Sequence, residues 1–259
     1  MSARSTIELL DFFEELKGDP GARRSILLDQ ALYSPSPHLA AYVQELGDVR
    51  AQAAATNGKQ RRLHLARAGR LMEAIAKLLL EGIAGGDAVK SFLSSGAQYD
   101  LVVTGSSKLW LTMMRVVCPG AKAQSILVEA KATKSKVNDA TFHRLCGVVG
   151  NYLLDHVGLA IFMTLAGATG FPKRGAKVLG LRQARLAQLL FFAKNEIPIV
   201  VLDFQDLVEL ANGAPLLPLL QAKVVEISEQ MGVWPSPPDG AHSDLPSHLL
   251  AIPANPAHF

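Results

Sequence analysis

Leu65, Ala68, Met72, Ile75 and Leu79 recur three and four residues apart, the spacing that lines one side of an α-helix. A helix is therefore expected over residues 61–81, ended by Gly82 and the pair Gly85 and Gly86. Upstream, Ser5-Thr6-Ile7-Glu8 is a capping-box pattern ahead of Leu9, Leu10, Phe13 and Leu16. Breaks at Gly18-Asp19-Pro20-Gly21 and Ser34-Pro35-Ser36-Pro37 divide this region, and a further helix is expected over 38–55. Past residue 86 the period changes. Residues 99–104, 109–118 and 124–132 each read as a strand, with Gly105-Ser106-Ser107 and Pro119-Gly120 as the turns between them. The pattern then predicts a helix over 141–156, an apolar strand over 159–165, a glycine-rich loop over 167–175 and a helix over 179–195. A buried strand over 197–202 follows, and a helix begins at 206–211. From residue 233 the prolines at 235, 237, 238, 246, 253 and 256 predict an extended or disordered tail.

This order predicts an α/β fold, with helices layered on a mixed central sheet. The chain divides into an N-terminal helical extension (1–60), a core (61–232) and the Pro-rich tail (233–259). Hydrophobic residues make up 49% of the 259 residues, ample for a real core. The two cysteines, Cys118 and Cys146, show no CxxC spacing, which argues against a zinc site and a disulfide framework. The N-terminal segment carries acids where a signal peptide needs an apolar run. No apolar stretch reaches membrane-spanning length. The expectation is a soluble, cytoplasmic protein without a membrane partner.

The formal net charge of +3 says little about partners, but its distribution says more. Between Val49 and Met72 there is no acid, while Arg50, Lys59, Arg61, Arg62, Arg67 and Arg70 fall there. Between His156 and Asn195 there is again no acid, while Lys173, Arg174, Lys177, Arg182, Arg185 and Lys194 fall there. Such stretches could line a phosphate-binding surface; the plainer reading is two solvated helix faces.

The chemistry concentrates in Gln98-Tyr99-Asp100-Leu101 and in Val128-Glu129-Ala130-Lys131. Residues two apart on a strand share a face, so Glu129 and Lys131 point the same way. A charged pair on an apolar strand costs desolvation unless it meets water, a metal or a ligand. If the strands are neighbours, Asp100 joins them. Two carboxylates and the Ala130 carbonyl make a hard-oxygen site for magnesium, with manganese able to substitute, and a lysine beside it can neutralise developing charge or orient water. That set suits phosphodiester hydrolysis. The plainer alternative is an ion pair between Glu129 and Lys131 on a wet face.

Asp100 followed at a distance by Glu129-Ala130-Lys131, in an α-β-β-β-α-β order, resembles the PD-(D/E)XK, restriction-endonuclease-like nuclease superfamily over about residues 61–210. The run Phe142-His143-Arg144-Leu145 and the strand at 197–202 resemble the later part of such cores. One departure is that Tyr99, not proline, precedes Asp100. The resemblance implies a restriction-endonuclease-like core and metal-dependent cleavage of nucleic acid, most naturally double-stranded DNA in restriction or antiviral defence. It also implies catalytic roles for Glu73, in the helix before the strands, and for Gln98, just ahead of the aspartate. Glu73 could equally be a helix salt-bridge residue beside Arg70 and Lys77, and Gln98 a turn residue.

Lys134, Lys136 and Arg144 are candidate phosphate contacts, as are Lys173, Arg174 and Lys177 in a basic loop leading into a helix N-terminus. The same loop half-resembles a P-loop, but Ala176 stands where the lysine is needed, so NTP hydrolysis is not expected. The apolar positions Leu9, Leu10, Phe12, Phe13 and Leu16 must bury against something. A symmetric pair would cut both strands of a duplex, so a homodimer or higher homo-oligomer is expected. The alternative to an enzyme is a nuclease-fold scaffold or binding subunit, its N-terminal helices docked on a partner subunit.

Overall fold

The computed structural model describes residues 22–87, 89–93, 98–133, 135–171 and 184–232. The expected helix around Leu9 to Leu16 and the Pro-rich tail lie outside the described residues.

Three helices come first: α1 (Ala22–Leu32), α2 (Leu39–Ala55) and α3 (Gly58–Glu81). The spacing that predicts α3 is the one it buries, with Ala68, Met72, Ile75 and Leu79 all inside. Its partner α2 buries Leu39, Val43, Leu46, Val49 and Ala53, and the two pack as a helical hairpin. An ion pair between Arg67 and Glu45 joins them, but both side chains are exposed, so it contributes little.

The sheet follows, in the order β1 (Lys90–Leu93), β2 (Gln98–Val103), β3 (Ser125–Lys131), β4 (Val157–Thr164) and β5 (Ile199–Leu202). The pairs β1/β2 and β2/β3 are antiparallel, and β3/β4 and β4/β5 are parallel. The parallel pairs are joined through α5 (Asp139–Tyr152) and α6 (Ala184–Asn195), as parallel neighbours require. Two further helices, α7 (Phe204–Ala211) and α8 (Leu216–Gln230), complete the described chain. The fold is α/β with a mixed sheet covered on both faces.

One expected strand is corrected. Residues 109–118 do not form the middle of the meander; they form helix α4 (Lys108–Val117), inserted between β2 and β3. Trp110, Met113, Met114 and Val117 are buried at helical spacing. Ser107 caps the helix by accepting from the Trp110 N–H at 3.1 Å, and the Trp110 indole donates to the Gln124 carbonyl at 2.6 Å. The three antiparallel strands do exist, but the first is the short β1, so Asp100 lies on the second.

Two cores result. One lies between the sheet and α1, α2, α3, α4, α7 and α8, drawing Val103, Ile126, Val128, Ile161 and Met163 from the strands. The other lies under α5 and α6, built on Leu127, Ala160, Phe162 and Phe142. Every residue of β4 is buried, so this strand is the centre of both. No helix among the described residues is long and apolar enough to cross a membrane.

The helices expected as an extension are part of the larger core: Leu28, Leu32, Leu39, Val43, Leu46 and Val49 all belong to it. The Asp29 carboxylate on α1 accepts from the Leu217 N–H of α8 at 2.7 Å. An N-terminal backbone donor of α8 is thus satisfied from the other end of the chain. Fully burying each of those side chains is worth about 1.5–3 kcal/mol, against a net stability of about 5–15 kcal/mol for a domain. A chain starting at Gln60 is therefore expected to lose its cooperative thermal transition in calorimetry. A truncated chain melting as sharply as the full one would make α1 and α2 an appendage instead.

Candidate active site

Strand β3 runs Ser-Ile-Leu-Val-Glu-Ala-Lys, and its register with β2 pairs Val103 with Ile126, Val102 with Leu127 and Leu101 with Val128. The ladder ends there. At the next position the Asp100 carboxylate takes over, its Oδ2 accepting from the Ala130 N–H at 2.6 Å. A side chain thus stands where a backbone carbonyl would continue the ladder. On the other side β3 continues in parallel register, with Glu129 beside Phe162 and Lys131 beside Thr164. The two-residue period puts Glu129 and Lys131 on one face, the face roofed by α5.

The Glu129 side chain is only 3% exposed, and Lys131 Nζ lies 3.1 Å from its Oε1. The Arg144 guanidinium, descending from α5, pairs with the same oxygen. Asn138 starts α5 by accepting from the Thr141 N–H at 3.0 Å, and Phe142 and Leu145 turn inward. Arg144, a candidate phosphate contact by sequence, sits directly on the buried carboxylate.

The electrostatics follow. Burial pushes the Glu129 carboxyl above its ordinary value, and the Asp100 charge pushes it further; Lys131 and Arg144 oppose both. Glu73 reaches the same field from α3. Its carboxyl is raised by partial burial and then by Asp100, and lowered by Arg70 and Lys131. Lys77, the helix partner that Glu73 could have had, pairs with Glu81 at 3.4 Å. Helix α3 passes close to the end of β3 here: a Cβ on Gly69 would lie 3.9 Å from that of Ala132, just past the strand.

Asp100, Glu129 and Lys131 are thus brought together, with Glu73 in their electrostatic reach. Gln98 opens β2, but its side chain lies outside the described residues. So do Lys134, Lys173, Arg174 and Lys177. Lys136 is exposed in the loop after β3, which is tied to the loop after β4 by the bridge between Val137 and Ala168. Within the second basic stretch, Arg185 is internal: it pairs with Glu226 at 2.6 Å and lies over the Phe171 ring at 4.8 Å. Sequence reasoning missed Thr164, beside Lys131, whose buried hydroxyl finds no hydrogen-bond partner among the described residues.

Among the described residues, no three His, Cys, Asp or Glu side chains are grouped so as to hold a metal ion. The arrangement is instead the Asp100 and Glu129 carboxylates, with Lys131 and Arg144 both paired to Glu129. Compared with models of protein families, with curated proteins and with solved structures, the chain matches none.

Glu129 separates a structural ion pair from a functional one. Its folded pKa is raised, so between the unfolded value and the folded value the folded state binds more protons, and stability falls as pH rises through that window. Its contribution is complete below the unfolded glutamate value and is lost above the raised folded one. Glu129→Gln removes the buried charge, and Lys131 and Arg144, at 33% and 46% side-chain exposure, can turn to water. Urea unfolding across pH should show the variant at least as stable as the wild type at neutral pH, without this part of the decline. A variant less stable at pH 7 would make the pair a net structural support.

Proposed function

We propose that the protein is a metal-dependent nuclease hydrolysing phosphodiester bonds, with double-stranded DNA as its substrate, and that its core is of the restriction-endonuclease-like kind. The observation that carries this reading is a buried carboxylate, Glu129, meeting Asp100 and Lys131 where the β2/β3 ladder parts. The strand order supports it: three antiparallel strands, with α4 inserted between the second and third, then α5 and a strand parallel to the third.

The donor chemistry fits magnesium. Asp100, Glu129 and the Ala130 carbonyl offer hard oxygen ligands, few enough to leave positions for water and phosphate. Asp100 raises the carboxyls of both Glu129 and Glu73, the mutual repulsion that a cation relieves. Among the described residues, the ion pairs of Glu129 with Lys131 and Arg144 both run to Oε1, which favours Oε2 as the oxygen for a metal. When bound, magnesium, or manganese in its place, supplies Lewis-acid stabilisation of phosphoryl charge and acidifies water.

The chain's own groups do the rest. Asp100 is oriented by the Ala130 N–H, so its carboxylate is fixed relative to β3. Arg144 pairs with Glu129 from helix α5 and offsets part of its charge. Lys131, one-third exposed at the lip of the site, can donate to a phosphoryl oxygen or orient the attacking water. With both carboxylates nearby, it acts as a cation and not as a neutral base. Glu73 adds a third carboxyl in the same field.

The decisive assay is plasmid cleavage with magnesium against an EDTA control. Lys131→Ala should lower the rate by about 10²-fold or more, measured where circular dichroism shows the variant still folded, because its melting temperature should also fall as buried Glu129 loses one of its two cations. Asp100→Asn and Glu129→Gln should abolish cleavage and lose the rise in melting temperature that magnesium gives the wild type. Wild-type cleavage by Lys131→Ala, or an unaltered magnesium effect in both carboxylate variants, would remove the assignment. DNA binding without cleavage under every metal would leave a scaffold in its place.

A further inference from the structure

Beside the candidate active site lies an open pocket of about 190 Å³ that the proposed chemistry does not use. Its floor is the chain just past the two strands that carry the site: Thr133 follows β3, and Leu165 follows β4. Its outer wall is the α2–α3 hairpin, which contributes Arg50, Ala53, Arg61 and Leu65. That wall belongs to the acid-free basic stretch between Val49 and Met72. The fold therefore turns the stretch toward the ends of β3 and β4.

The two arginines are placed for an anion. Among the described residues neither is ion-paired with a carboxylate. Arg50 is held in place, its guanidinium 4.8 Å above the Phe204 ring, and that ring also lies against the turn of α2 at Gly47. An aromatic clamp of this kind positions the cation while leaving its N–H donors for an acceptor. The remaining lining is apolar or small, which suits the carbon face of a sugar and not a second charge. Drug-sized ligands occupy pockets of about 300–1,000 Å³. This one is smaller and open, so it fits one unit of a ligand whose remainder lies outside.

We propose that the pocket holds a single sugar-phosphate unit of a nucleic-acid strand, with Arg50 and Arg61 on its phosphate, and that it fixes the strand as it crosses the candidate active site. This inference rests on the nuclease reading for its purpose, but its test does not need cleavage.

A labelled DNA duplex is titrated by fluorescence anisotropy in EDTA, over a series of salt concentrations. The variants are Arg50→Ala with Arg61→Ala, the same pair changed to lysine, and Arg115→Ala as an exposed arginine outside both basic stretches. The double alanine variant is expected to bind about tenfold more weakly. Its slope of log affinity against log salt should be shallower by about 0.9, the value for a single phosphate no longer neutralised. The double lysine variant should retain most of the affinity, which also guards against a folding defect in the alanine pair. Arg115→Ala should bind like the wild type. Wild-type affinity in the double alanine variant would overturn the proposal. So would an equal loss in Arg115→Ala, failure of the wild type to bind, or competition by a mononucleotide on equal terms with the duplex. Pocket-dependent binding without any cleavage would sink the nuclease reading and keep the pocket. Cleavage with binding indifferent to both arginines would do the reverse.

Discussion

Glu129 carries a carboxylate that is 3% exposed on an inner strand, and a charge so placed costs several kcal/mol unless cations and donors meet it. Much of the surrounding architecture supplies that compensation. Lys131 meets it because the strand period returns the chain to the same face two residues later. Arg144 meets it because the crossover from β3 to β4 must be a helix, and that helix lies over this face. Phe142, close to Arg144 on that helix, rests on Phe162, with ring centroids 5.6 Å apart; Phe162 is the β4 neighbour of Glu129. The packing that dries the carboxylate therefore also anchors the helix that delivers its cation.

The same few residues mark where two kinds of sheet meet. On one side of β3 the pairing is antiparallel and stops short; on the other it is parallel and runs to Lys131. The gap left by the shorter ladder exposes backbone donors, and Asp100 fills it through the Ala130 N–H. Parting the strands thus brings a second carboxylate to the first. Helix α3 closes the other side, passing Ala132 at Gly69 and presenting Glu73 one turn later.

Where local pattern carries the information, the sequence is readable. Helix α3 shows a full amphipathic period, and the alternation in β3 alone places Glu129 and Lys131 together. The segment 109–118 misleads because Val116, Val117 and Cys118 read as strand, while Trp110, Met113, Met114 and Val117 keep helical spacing and Ser107 supplies the cap. β1 is four residues long, too short to show a period. Helix α8 carries Pro218, which is tolerated in a first turn, and its local sequence offers no side-chain cap. Its cap is Asp29. The partnership of Arg144 with Glu129 is equally out of reach, since fifteen positions separate the two and only the crossover joins them.

That Asp29 cap has a consequence for how the molecule is made. The aspartate and the Leu217 N–H that it accepts from are 188 positions apart, and closing a loop of that length costs about 5 kcal/mol in chain entropy. In the folded chain that cost is offset because the sheet between them already holds the two ends near each other. On a ribosome the first helices emerge long before α8 exists, with Leu28 and Leu32 uncovered in the interval. A nascent chain in that state is sticky, and it becomes a sealed domain when its last described helix arrives.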